Sequence, residues 1–564
     1  MPLLSALLLL LAWLMPLHFL PWVSWHSEVL VFASLLIFFG VVLASRAKPE
    51  SAPLVFPMAG WPLLALIAAV TVQAGLGMIQ FAADAFVLVF YLMTAVCALI
   101  IGRTLAGRVT AGGGSDGEGL IHQMAWLMVL AGVASAMLAF VQVTDVWVSE
   151  GWVNRMPSRR PGANLGQPNQ LATLLLFSLA SLVLLSESHR IGRVTAALIA
   201  AIVLVALSMT ESRTGMLGLA VLAAWNMVVR SRIKMRLPVW VLAIWALFFV
   251  GAMKLWPMCL HFLLEGRWDI AASTSINTSG GTRWLVWQQL WQAVLQRPWF
   301  GWGLREISTA HNAVVVPGAD VEPFTYAHNI ILDLAVGGGL PFTLLLVVAV
   351  AVWLWRRTKA VNNMGDWYCL AIALPFGLHS LLELPFAYAY FLVPVMLLVG
   401  VLEARLAATW VFSLRRWIAG CAWVVLAVAF VWSVREYIAI EEDFRVARFE
   451  AARIGHTPSE YQRPPIMLLT QLSAALEVVR IVPRPDMASE TIERMRRVAL
   501  RFPWPATQSR YALVLVLNGN PDEAIRQLKV IRAQHGALMY KEVKRKWLEL
   551  AESTYPQLGQ IALP

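Results

Sequence analysis

Tyr326-Ala327-His328-Asn329-Ile330-Ile331-Leu332-Asp333, continued by Val336-Gly337-Gly338-Gly339-Leu340-Pro341-Phe342, marks the point where a polar stretch gives way to an apolar helix. The polar stretch reaches back to about Pro257 and contains Arg283. Such a boundary puts an imidazole where a wet loop enters a bilayer, within reach of a lipid-borne substrate. That placement points to chemistry rather than transport.

Working outward, apolar residues make up 59% of the chain and charged residues only 14%, with a mean hydropathy of +0.67. Repeated apolar runs of about 18 residues or more read as membrane-crossing helices. Candidate spans begin near Leu3, Glu28, Trp61, Asp84, Leu120, Gln170, Val194, Gly215, Leu237, Ile330, Trp367, Phe386 and Trp417, about thirteen in all by the hydropathy criterion. The expected fold class is therefore an all-α polytopic membrane protein. The first run lacks a basic leader and a small-residue cleavage site, so it reads as a retained span.

Short basic loops set the orientation: Arg46 with Lys48, Arg103 with Arg108, Arg190 with Arg193, Arg230 to Arg236, Arg356 with Arg357 and Lys359, and Arg415 with Arg416. By the positive-inside rule these face the cytoplasm, and the loops alternating with them face outward. The amino terminus then lies inside and everything after about Glu436 outside. The net charge of +11 is a topology signal, and nucleic acid is not an expected partner. Cys97, Cys369 and Cys421 fall in predicted spans, leaving Cys259 no disulfide partner outside. A zinc site is not expected.

Three outward regions differ in character. Trp147 to Gln170 carries Arg155, Arg159 and Arg160, then Pro161-Gly162-Ala163-Asn164-Leu165-Gly166-Gln167-Pro168-Asn169-Gln170, a composition that favours a structured loop. The loop at 257–327 moves from a Ser/Thr/Asn/Gly cluster at Ser273 to Thr282 into a tryptophan-rich helical pattern, Arg283 to Leu295, suited to a membrane interface. From Arg435 hydropathy drops, so residues 1–434 read as a membrane domain and 435–564 as a small soluble helical domain. Within the latter, Tyr511-Ala512-Leu513 through Gly519-Asn520-Pro521-Asp522-Glu523-Ala524 looks like one tetratricopeptide unit or an unrelated two-helix hairpin.

Arg213, in Thr210-Glu211-Ser212-Arg213-Thr214-Gly215-Met216, occupies a short polar break between two spans. It could pair with Glu211 or snorkel to headgroups. Arg283, Arg159 and Arg160 are expected on the same side, which favours a shared anion site, since guanidinium binds phosphate bidentately. His328 could simply brace a loop. Its context favours a base that accepts a hydroxyl proton. Asn329 reads as a cap or an orienting group. Gln167, Asn169 and Gln170 either cap and brace the start of a span or contact a sugar or diphosphate. The tryptophans at 284, 287, 291, 299 and 302 read as interfacial anchors.

Taken together, Ser212-Arg213-Thr214-Gly215-Met216-Leu217, then Arg283-Trp284 leading to Pro298-Trp299-Phe300-Gly301-Trp302-Gly303, then Ala327-His328-Asn329 with Gly337 to Leu340 form an ordered set. On it the chain resembles the bacterial O-antigen ligase and polymerase superfamily. Gly166-Gln167-Pro168-Asn169-Gln170-Leu171-Ala172-Thr173 and the soluble extension are similar to its PglL-type O-linked oligosaccharyltransferase branch. Val336 is a departure, because many relatives carry an acidic residue there, so no role is carried over to it.

The resemblance implies a GT-C-like bundle in the bacterial inner membrane, with a large periplasmic loop, and a periplasmic active site and carboxy terminus. It also implies an undecaprenyl-diphosphate-linked oligosaccharide as donor, a pilin or other periplasmic protein as Ser/Thr acceptor, and no metal or other cofactor. Arg213 and Arg283 match the arginines assigned to the diphosphate, and His328 the essential histidine. Transfer to lipid A core, as by an O-antigen ligase, or glycan polymerisation are the alternatives. A transporter would line the membrane midplane with its charges; here they gather at one face.

Overall fold

The computed structural model describes residues 1–45, 54–107, 116–144, 151–154, 160–263, 280–316, 319, 321–405 and 412–564. Arg46, Lys48, Arg108, Trp147, Arg155, Arg159 and residues 273–279 lie outside the described residues. The helices are α1 (Leu3–Leu14), α2 (Trp25–Ala44), α3 (Trp61–Gly75), α4 (Ala82–Ala106), α5 (Asp116–Thr144), α6 (Pro168–Glu187) and α7 (Arg193–Met209). They continue as α8 (Arg213–Ile233), α9 (Val239–Leu263), α10 (Gly280–Gln296), α11 (Ile307–Val314), α12 (Ile330–Gly338), α13 (Leu340–Ala360) and α14 (Met364–Leu382). The last are α15 (Ala389–Arg405), α16 (Arg416–Ala452), α17 (Thr470–Arg480), α18 (Ser489–Arg501), α19 (Pro505–Leu517) and α20 (Pro521–Ser553).

Helices form at every position where a span was expected. Among the described residues, nine of them are long and apolar enough to cross a membrane: α2 to α6, α8, α9, α13 and α16. The protein is an all-α polytopic membrane protein. Short strands β1 (Leu54–Phe56) and β2 (Phe412–Leu414) pair antiparallel, with Val55 opposite Ser413.

One expected span is corrected. The apolar run from Ile330 is two helices, α12 and α13, separated at Gly339 with φ 82° and ψ 168°. A Cβ at Gly339 would overlap the carbonyl of Trp299, so the break is where another backbone segment comes close. That segment is Pro298–Gly303: the N–H of Leu340 donates to Pro298 O at 2.7 Å, that of Trp302 to Val336 O at 2.8 Å and that of Gly303 to Gly337 O at 3.1 Å. At Gly301, with φ 71°, a Cβ would lie 2.5 Å from Gly337. Gln73 completes the joint, donating to Gly337 O at 2.8 Å and accepting from Leu304 N at 2.8 Å. The two glycine-bearing motifs thus form one backbone-to-backbone contact, in which polar groups satisfy one another where water is excluded.

The chain divides into two compact units. The first comprises Met1–Ala65, Phe90–Asn277 and Ala349–Phe430. Its central helix is α6, buried at nearly every residue from Gln170 to Leu185 and packed by α5, α7, α8 and α14. A helix apolar on all sides belongs at a bundle centre.

The second comprises Leu66–Val89, Thr278–Val348 and Val431–Pro564. One of its cores gathers Val286, Leu290, Ile307, Val321, Phe324 and Val336. Another is built by the carboxy-terminal helices around Met495, Val498, Tyr511, Val514, Leu528 and Trp547. The α19–α20 hairpin turns at Gly519 (φ 80°), and α20 kinks at Gly536. Within this unit Val321 N donates to Ala533 O at 2.8 Å, and Arg526 donates to Asn312 O at 3.1 Å. The carboxy-terminal helices therefore share hydrogen bonds with the segment that leads to His328.

Candidate active site

In the second unit, His328 closes a loop just ahead of α12. Its φ is 55°, in the left-handed region that costs a non-glycine residue energy and persists only when the surroundings enforce it. Several contacts do so. Trp287 Nε1 donates to Ala327 O at 2.7 Å, and Ala327 N donates to Asp333 Oδ1 at 3.1 Å. The Asn329 side-chain oxygen caps α12, accepting from Ile331 N at 3.0 Å and Leu332 N at 3.1 Å. The imidazole rests against Phe324, ring centres 4.6 Å apart.

His328 Nδ1 lies 3.1 Å from the carbonyl oxygen of Tyr326. A carbonyl only accepts, so Nδ1 carries the proton. In the neutral ring Nε2 is then the lone-pair nitrogen. Arg283 stands on α10 one turn before Trp287, the residue bonded to Ala327. Residues four apart share a helix face, so Arg283 and Trp287 lie on one face of α10.

A second histidine, His311, is buried on α11 and bonded to Gln289 at 3.1 Å. Burial pushes its pKa down to about 4, so this ring is neutral and structural.

In the first unit, Arg213 is the first residue of α8 and is exposed. Ser212 caps that helix, accepting from Gly215 N at 3.0 Å while donating to Asn169 Oδ1 at 2.6 Å. Arg160 donates to Thr210 O at 2.7 Å and reaches Asn169 Oδ1 at 3.4 Å. Asn169 Nδ2 donates to Glu383 Oε1 at 3.0 Å. Arg160 and Arg213 are thereby brought to the same helix start, where the helix dipole also favours an anion.

Gln170 is buried and accepts from the Tyr390 hydroxyl at 2.8 Å. Gln167 is the N-cap residue of α6 and makes no side-chain cap bond. An apolar cavity of about 250 Å³ begins one turn beyond Arg213, between Met216, Leu219, Leu179, Trp245 and Phe249.

His328, Asn329 and Arg283 thus belong to one unit, and Arg213, Arg160, Gln167, Asn169 and Gln170 to the other. Glu383, Tyr390 and His379, the last 2.7 Å from the Thr173 hydroxyl, were not singled out from sequence. Each stands alone in an apolar run or a short break, and its partner is hundreds of residues away. Among the described residues no group of three or more His, Cys, Asp or Glu converges as a metal site would.

Three family matches run along the chain. Residues 161–185 match a family described as protein glycosylation ligase, residues 196–348 one described as O-antigen ligase, and residues 367–548 the carboxy-terminal part of a virulence factor membrane-bound polymerase. A general O-oligosaccharyltransferase of Acinetobacter baylyi (strain ATCC 33305 / BD413 / ADP1) is 26% identical over 542 residues, 94% of this chain and 92% of that protein. A ComP-specific O-oligosaccharyltransferase of the same organism is 25% identical over 289 residues, 51% of this chain and 52% of that one. The glycosylation-ligase match falls on the Gly166–Thr173 motif and the O-antigen ligase match contains Arg213, Arg283 and His328, so the chain is similar to O-antigen ligases and to O-linked oligosaccharyltransferases, and it is a glycosyltransferase.

Proposed function

We propose that this protein transfers a glycan en bloc from undecaprenyl diphosphate to Ser or Thr hydroxyls of pilin or other periplasmic proteins, at the outer face of the bacterial inner membrane. The observation that carries this reading is the bond from His328 Nδ1 to the Tyr326 carbonyl. It presents Nε2 as a base in a loop held rigid on both sides. The acceptor hydroxyl gives its proton to Nε2 as its oxygen bonds to the anomeric carbon. The bond from that carbon to the phosphate oxygen breaks, and its electron pair leaves with the diphosphate.

The countercharge is assigned to Arg213 and Arg283, whose planar donor forks suit phosphate oxygens. Stabilising the departing charge in this way is worth a few kcal/mol per donor. The apolar cavity one turn from Arg213 suits an isoprenoid segment of the donor, because burying apolar chain there removes it from contact with polar headgroups. The names of these relatives support protein as the acceptor class.

The test is co-expression with a lipid-linked glycan pathway and candidate pilin or lipoprotein acceptors in cells lacking their own ligase, followed by mass spectrometry. Glycosylated Ser or Thr is the expected result. Glycan found only on lipid A core would make the protein an O-antigen ligase.

A further inference from the structure

Arg501 ends α18, far along the chain from the histidine loop, yet its guanidinium is buried and forked onto Asp84. Nε and Nη2 lie 2.7 Å from Oδ2 and Oδ1 of that carboxylate, respectively. Asp84 is 1% exposed and stands in the first turn of α4. A second guanidinium, that of Arg305, reaches the same carboxylate at 3.8 Å. Arg305 lies with its Cζ 4.8 Å from the centre of the Tyr326 ring. The carbonyl of Tyr326 is the acceptor for His328 Nδ1. All five residues belong to the second unit.

The geometry constrains each link in turn. A forked pair fixes the plane of the Asp84 carboxylate, because two parallel bonds leave no rotation. That carboxylate attracts Arg305 as an ion pair, and a guanidinium lying over a ring limits the movement of the ring. Tyr326 in turn sets where its own carbonyl points. The neighbouring Glu306 accepts from Gln80 N at 2.8 Å and from the Thr309 hydroxyl at 2.6 Å, and its charge adds to that of Asp84 in attracting Arg501.

We infer that Arg501 is a positioning residue for His328, acting through Asp84, Arg305 and Tyr326. The carboxy-terminal helices then support the reaction centre instead of serving only as a platform for the acceptor. This inference rests on the proposed role of His328 as the base.

The test uses the full-length protein in detergent, with an undecaprenyl-diphosphate-linked oligosaccharide and a serine-containing acceptor peptide as probes. Arg305→Lys and Arg501→Lys keep the charge and lose the planar fork. Both should lower kcat about ten-fold or more, the scale expected when a reacting group is held slightly out of place. KM for donor and acceptor and monodisperse elution should stay as in the wild type, and Arg305→Lys, which leaves the buried Arg501–Asp84 pair in place, should also keep the wild-type Tm. A raised acceptor KM at unchanged kcat would assign the region to acceptor recognition and overturn the inference. Activity lost only in proportion to lost folded protein would make Arg501 a docking residue and overturn it equally. If Arg501→Lys does not fold, Arg305→Lys decides, because it leaves the Arg501–Asp84 fork intact. His328→Ala run in parallel separates the two levels: an active His328→Ala sinks the base assignment, whereas an inactive one beside a fully active Arg305→Lys sinks the relay alone.

Discussion

The polar break before α8 and the loop before α12 both lie at helix starts, and they are built in opposite ways. At the first, side chains bind side chains: Ser212 and Arg160 converge on Asn169, which holds Glu383. At the second, the ring of His328 is held through a backbone carbonyl and its loop through the backbone of Ala327. A side-chain network shapes a surface and can redistribute when one member changes. A backbone-held ring has its tautomer set and its second nitrogen directed, which is what proton transfer requires. Changes to the side-chain network around Asn169 should therefore alter binding or stability, and changes at the histidine loop should alter rate.

The largest expected effect lies at His328. His328→Ala should reduce glycan transfer roughly 10²-fold to 10⁴-fold, the usual worth of a general base, while membrane expression stays near normal. Single-turnover transfer to a serine-containing acceptor measures it, and wild-type rates would erase the contrast between the two regions.

His311 sharpens the comparison from within the second unit, as a histidine expected to matter for stability and not for rate. Its folded pKa is about 4, against an ordinary value of 6.5, because burial disfavours the cation. The unfolded state takes up the proton first, so the stabilisation from keeping this ring neutral is complete above the ordinary pKa and is lost as pH falls through the range down to the folded value, on the order of 3 kcal/mol in all. Thermal unfolding across that range should show the loss in the wild type. An isosteric neutral replacement that unfolds with the same pH dependence would refute the assignment.

Arg213→Lys and Arg283→Lys should each weaken transfer by about ten-fold, since an ammonium keeps the charge but loses bidentate geometry. Donor titrations of both variants are the measurement. Unchanged donor affinity and rate in both would mean that these arginines serve topology.

The smallest effect is expected at Asn169. Asn169→Ala removes a donor to Glu383 and an acceptor for Ser212, and should cost about 1–3 kcal/mol of stability. A Tm shift accompanied by a modest change in donor affinity fits a shaping role. A loss of rate as large as that of His328→Ala would mean that Asn169 acts in the reaction itself.

Much of this protein could be read residue by residue. The helices, the start of α10 near Arg283 and the cap at Asn329 all follow from local signals, because hydropathy, N-cap chemistry and helical period act over a few residues. The reading failed at Ile330, where hydropathy continues through Gly339 but the chain breaks to admit Trp299. It also could not separate Asn169 from Gln170. Both are amides at a helix start, yet one joins a polar cluster and the other is buried against Tyr390.

From the sequence alone came the membrane class, the family resemblance and the candidates Arg213, Arg283 and His328, because each depends on composition or on an ordered motif. Only the tertiary structure could decide which polar residues meet. Arg501 and Asp84 are 417 positions apart, and Gln73 and Gly337 are 264 apart. Nothing local marks such pairs: an isolated charge or amide in an apolar helix has the same sequence signature whether it faces headgroups or a buried partner. The difference is made when packing excludes water, after which an unmatched polar group is costly and a matched one holds the fold in place.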